Sequence, residues 1–156
     1  MDDLHGKNLE ASALRKWITR WLQCVPPENV IVLISVENQA MADKRIPELL
    51  KIPAACHGLS LEPLLSPVDL TQIESTAFPK LKGRPAIWDI DWVIIGCESG
   101  SKRRDCDGAW IENLVEQGKA AGVATFVKQV LVDGRVETDP AKFPPRLQIQ
   151  NWPEGF

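Results

Sequence analysis

The sequence predicts an α/β fold: a four-stranded, mostly parallel βα layer, preceded by a helix and followed by a C-terminal hairpin and tail. Strand-like and helix-like stretches alternate along the chain, as right-handed crossovers between parallel strands require. The run "VIVLISVE" is apolar and β-branched without polar alternation, which predicts a strand covered on both faces. Three runs, "VIVLISVEN", "CHGLSLEPLL" and "DWVIIGCESG", each deliver a glutamate after their apolar residues, so Glu37, Glu62 and Glu98 fall where parallel strands terminate together.

Leu14, Trp17, Ile18, Trp21, Leu22 and Val25 recur at three- and four-residue spacing and predict a first helix over about 9–24. Lys16, Arg20 and Gln23 form its wet side, and "VPPEN" stops it, because proline cannot continue a helix. Strands are predicted at Val30–Glu37, Cys56–Leu65, Ile90–Glu98 and Val123–Val130. Between the first two, "NQAMADKRIPELLKIP" reads as a helix in two pieces, with Pro47 starting or kinking the second. "SPVDLTQIESTAFPKLKGRPAI" is the longest irregular connection, with a helical turn near Leu70–Glu74. Asp107 is an N-cap for the helix "GAWIENLVEQGKAAG", with Trp110, Ile111, Leu114 and Val115 on one stripe and Gly122 at its end. Asp133-Gly134 predicts a tight hairpin turn. The proline-rich tail is expected to wrap the surface, pinned by Phe143, Leu147, Ile149 and Trp152.

At 156 residues the chain has the length of one ordinary domain, and its 44% hydrophobic and 25% charged content is that of a globular protein. A net charge of −3 removes the basic surplus that general nucleic-acid binding requires. No apolar stretch reaches the roughly 20 residues of a bilayer span, so a cytoplasmic protein without a membrane association is expected. The four cysteines, Cys24, Cys56, Cys97 and Cys106, contain no C-x-x-C pair and signal neither a zinc site nor a disulfide framework. Cys56 and Cys97 read as buried thiols, and Cys106 lies in a polar loop where exposure is open to it.

Glu37, Glu62 and Glu98 would share one sheet edge with Lys128 and Gln129, while Ser35, Ser60 and Gly96, two positions before each glutamate, leave space there. Carboxylates gathered at a partly dry edge can coordinate a cation, bind an amine or guanidine, or act as acid and base once mutual repulsion raises one pKa. Equally, Lys128 can neutralise one of them as a structural pair, and strand ends carry charge simply to reach solvent. After Glu98, Ser99 and Gly100 lead into Lys102, Arg103 and Arg104, which suits a phosphate or carboxylate ligand or forms a solvated charge run. His5, in a tail expected to be mobile, and His57, at a strand start, support no nucleophile–base constellation; His57 reads as packed or hydrogen-bonded.

The blocks "VIVLISVENQAMADKRIPELLKIPA", "GLSLEPLLSPVDL", "WVIIGCESG", "KAAGVATFVKQ" and "FPPRLQIQNWP" resemble, in order, the C-terminal half of a phage- and prophage-associated family of uncharacterised proteins related to radical-SAM enzymes. The resemblance runs from about Asn29 to Pro153. It implies half of a TIM-type barrel, with Glu37, Asn38, Glu62, Glu98, Ser99 and Lys128 facing a cofactor and substrate cavity. Residues 1–28 would then be a helical cover, 29–130 the βα half-barrel, and 131–156 the hairpin and wrapping tail. Family members carry a three-cysteine motif for an iron–sulfur cluster. This chain has no clustered cysteines, and Cys97 stands where a second glycine is expected in the family block, so no iron–sulfur cluster is expected in it.

Three readings follow. The first is a mobile-element-type barrel fragment that binds a small ligand or partner at the rim through Glu37, Asn38, Glu62, Glu98, Ser99, Arg104 and Lys128. The second is a stand-alone metal-assisted hydrolase or transferase using the rim glutamates. The third is a non-catalytic interaction protein. Open sheet edges and an uncovered face are costly, so a homo-oligomer or a protein partner completing the barrel is expected.

Overall fold

The computed structural model describes the backbone of residues 3–77 and 82–156, and the side chains of residues 11–77 and 82–156. Part of the predicted long connection lies outside these residues, as does the side chain of His5. The described chain contains helices α1 (Asp3–Leu22), α2 (Gln39–Leu49) and α3 (Gly108–Ala121) and strands β1 (Ile31–Ser35), β2 (Cys56–Leu61), β3 (Trp92–Gly96), β4 (Ala124–Val132) and β5 (Arg135–Glu137). The five strands form one sheet in sequence order, parallel from β1 to β4, with β5 antiparallel to β4.

One face of the sheet carries the core. In register, Ile34 meets Leu59, Leu59 meets Val93, and Ile95 meets both Leu61 and Val127. These side chains pack against Ala42 and Ile46 of α2 and Ile111, Leu114 and Val115 of α3. Each fully buried leucine or isoleucine contributes about 1.5–3 kcal/mol. Gly118 lets α3 approach closely, because a Cβ there would collide with the Thr125 hydroxyl. Asp107 caps α3 through Ala109 N at 2.9 Å, and Gly122 closes it in the left-handed conformation, φ 72°, as the sequence predicts.

Among the described residues no helix packs extensively on the opposite face. Leu33, Gly58, Ser60, Ile94, Gly96 and Phe126 point that way by strand alternation. Trp92 is covered there by Trp152, with ring centroids 4.7 Å apart. Leu33 is 38% exposed, so β1 is not covered on both faces as its composition suggested. On the far side the sheet is closed off: Val127 N donates to Ile149 O at 2.8 Å, Asn151 N donates to Thr125 O at 2.9 Å, and β5 pairs further along β4. Asp133 (φ 49°) and Gly134 (φ 72°) make the expected tight turn. Among the described residues no strand pairs with the outer edge of β1.

Several expectations are corrected. The first helix begins at Asp3, not near residue 9, so residue 5 belongs to regular structure rather than a mobile tail. Its apolar residues do not cover the sheet: Leu14 is 56% and Leu22 80% exposed, and a helical stripe without a partner surface cannot be buried by spacing alone. Trp21 Nε1 donates to Pro53 O, tying the helix end to the body. Pro47 neither starts nor divides α2, which runs on to Leu49. β2 stops at Leu61 rather than running on to Leu65, because Pro63 has no N–H to continue the ladder. Cys106 is buried, as a member of the hydrophobic core cluster. Phe143 and Leu147 pin the tail, but Trp152 keeps 58% of its surface exposed.

Candidate functional site

The C-terminal ends of β1, β2 and β3 are knit together by the chain that leaves β2. Leu64 N donates to Gly96 O and Leu65 N to Glu37 O, both at 2.9 Å. Glu37, Glu62 and Glu98 each continue the alternation of the sheet face opposite the core, in step with Ser35, Ser60 and Gly96. All three therefore share one rim and one face, a juxtaposition built by parallel register.

A bulge delivers the fourth member. Ile95 pairs with Val127 but Gly96 pairs with Gln129, leaving Lys128 as an extra residue in β4. Consecutive residues of a regular strand point to opposite faces. Here Lys128 Nζ reaches Glu62 Oε1 and Oε2 at 3.0 and 2.9 Å, and Gln129 Nε2 reaches Glu62 Oε1 at 3.0 Å. The Gln129 amide also donates to Cys97 O at 2.5 Å and is almost wholly buried. Gly96 makes this possible: a Cβ there would lie 3.3 Å from Gln129 Cγ and 3.5 Å from Glu62 Cγ.

The other two glutamates have their own cations. Arg104 donates to Glu98 from N, Nε and Nη2 at 2.7–2.8 Å. These hydrogen bonds from the Arg104 side chain, then from its backbone, hold the Glu98 carboxyl at a pKa of about 2. The same bond raises Arg104, with the charges of Glu98 and Glu37 adding to it. Glu37 pairs with Arg45 Nη1 at 2.8 Å, and that nitrogen also donates to Ser35 O at 2.6 Å. The expectation of repulsion-raised carboxylates is overturned at Glu98: cation pairing pushes it down, into an anionic role.

Asn38 caps α2 through Met41 N at 3.0 Å, so its side-chain oxygen is committed to the helix start. Ser99 stands exposed on the loop. Arg103 donates to Gly134 O, anchoring that loop to the hairpin rather than standing in a solvated run. Arg45 was missed in the sequence because its pairing to Glu37 depends on how α2 leaves β1. His57 Nε2 lies 2.8 Å from Ile52 O, a hydrogen-bonded residue as expected.

A family model described as "Protein of unknown function (DUF5131)" matches residues 6–142, a span that includes every strand and every rim residue named above. The chain belongs to the DUF5131 family. No curated protein and no solved structure matches it.

The four cysteines of this DUF5131 chain are all free thiols. Cys56 begins β2 and Cys97 follows the far end of β3, while Cys24 is exposed elsewhere. Burial pushes the thiols of Cys56 and Cys106 up to about 11 and 12, and that of Cys97 up as well, so these buried thiols are protonated at neutral pH. Among the described residues no three His, Cys, Asp or Glu side chains are grouped to hold a metal ion. Among the described residues no helix is long and apolar enough to cross a membrane.

Proposed function

We propose that this DUF5131 chain is a mobile-element-type fragment of a radical-SAM-like barrel that works by binding, with the charged rim as its recognition surface. The observation that carries this reading is the shared placement of Glu37, Glu62 and Glu98 on one strand-end rim and one sheet face, each held by a cation. The rim of parallel sheets is where such folds place ligands. Side-chain exposures of 20–28% for the glutamates and 39–59% for their cations leave both signs of charge accessible. A small ligand carrying both an amine and a carboxylate matches that arrangement, exchanging its own charges for theirs.

The sequential parallel order and, among the described residues, the unpaired outer edge of β1 support half of a TIM-type barrel. A second copy or another chain then completes it along β1 and over Leu33. Binding is tested by titrating S-adenosylmethionine, and methionine alone, into 15N-labelled protein. Resonances of Glu62, Glu98 and Lys128 shift, and Glu62→Gln abolishes the shift; no change at millimolar ligand overturns the reading. Molecular mass from light scattering tests completion, and a monomer at high concentration removes the second-copy form of it.

A further inference from the structure

The opposite edge of the sheet, where β2, β3 and β4 begin, holds a second cleft of about 630 Å³ that the rim does not involve. Its walls include Trp88, Trp152 and Phe156, exposed by 57%, 58% and 41%, together with the carboxylates of Asp91 and Glu154. Among the described residues no lysine, arginine or histidine lines it, and the Arg84 cation lies over the Trp88 ring. Among the described residues neither Asp91 nor Glu154 forms an ion pair; Asp91 accepts one hydrogen bond, from His57 N at 2.8 Å.

Aromatic faces and unpaired carboxylates attract the same class of ligand, an organic cation, the first through the ring quadrupole and the second through charge. The molecule already shows the preference locally: the Arg84 guanidinium lies over the Trp88 ring, 5.7 Å from its centroid. Trp152 is held in place by its contacts with Trp92 and Phe126, so its exposed surface is presented rigidly. Three exposed aromatics also offer more apolar surface than one guanidinium covers, which leaves ground for the flanking residues of a peptide.

We infer that this cleft takes an arginine side chain presented by another polypeptide, its guanidinium between the aromatic walls and the carboxylates of Asp91 and Glu154. The inference does not rest on ligand binding at the rim.

The test uses the full chain and three probes: acetyl-Gly-Gly-Arg-Gly-Gly-amide, the same peptide with citrulline, and acetyl-arginine amide. Citrulline keeps the planar shape and removes the charge. The arginine peptide shifts the indole N–H resonances of Trp88 and Trp152 and binds at least about fivefold more tightly than the citrulline peptide. Glu154→Gln and Asp91→Asn each weaken it about two- to fivefold, while Glu62→Gln on the rim leaves it unchanged. Equal binding of arginine and citrulline peptides, or no shift from either at millimolar concentration, overturns the proposal. Acetyl-arginine amide binding as tightly as the peptide overturns the assignment to a polypeptide partner.

Discussion

Lys128 Nζ lies 3.0 and 2.9 Å from the two carboxylate oxygens of Glu62, 66 residues away in sequence, because one extra residue in β4 turns Lys128 toward the rim. The same bulge brings the buried Gln129 amide to Glu62. Glu62 is thus joined to an exposed cation and to a buried amide, and substitutions separate the two roles. Glu62→Gln removes the half-exposed ion pair and changes stability by less than about 1 kcal/mol. Glu62→Ala also takes an acceptor from Gln129 and costs about 1–3 kcal/mol. Urea denaturation of both variants measures the difference, and equal costs would mean that Gln129 gains nothing from Glu62.

Gly118→Ala drives a methyl group into the Thr125 hydroxyl and costs about 1–3 kcal/mol. In a Thr125→Ala background the obstacle is gone and most of that cost vanishes. A double-mutant cycle by chemical denaturation reads the coupling directly, and additive single effects would place the strain elsewhere.

Glu98 titrates near pH 2 in the folded protein, below its ordinary 4.5, because Arg104 hydrogen-bonds the charged form. A depressed folded-state pKa means that ionised Glu98 favours the fold above about 4.5. The contribution fades as pH falls from there through about 2. Arg104→Leu moves the Glu98 midpoint up toward 4.5, followed by carboxyl carbon NMR. The stability gap between variant and parent closes across the same window.

The native chain exposes one thiol, Cys24, while Cys56, Cys97 and Cys106 are buried. Ellman's reagent at pH 8 therefore titrates one equivalent rapidly and all four only after denaturation. Rapid reaction of a second thiol would show that one of the buried positions opens.

Leu22→Ser on α1 changes stability by no more than about 0.5 kcal/mol, because Leu22 is already 80% exposed. Leu59→Ala, at a wholly buried position in the core, costs about 2–5 kcal/mol. Thermal unfolding of both variants compares an unpartnered stripe with a core residue of the same type.

The sequence by itself determined the parallel βα order, the α3 caps at Asp107 and Gly122, the Asp133-Gly134 turn and the common rim of the three glutamates. Each is written in local chemistry: β-branched runs, a side chain that caps, a pair that accepts positive φ, and a period of two that carries a carboxylate past a strand end. Only the tertiary structure decided what those carboxylates hold. Arg45 meets Glu37 through the path of α2, Lys128 meets Glu62 through a bulge, and Cys106 is buried by a loop folding inward. Spacing on α1 likewise could describe an apolar stripe but not supply a surface to cover it, because periodicity records which residues share a face and burial depends on what packs there.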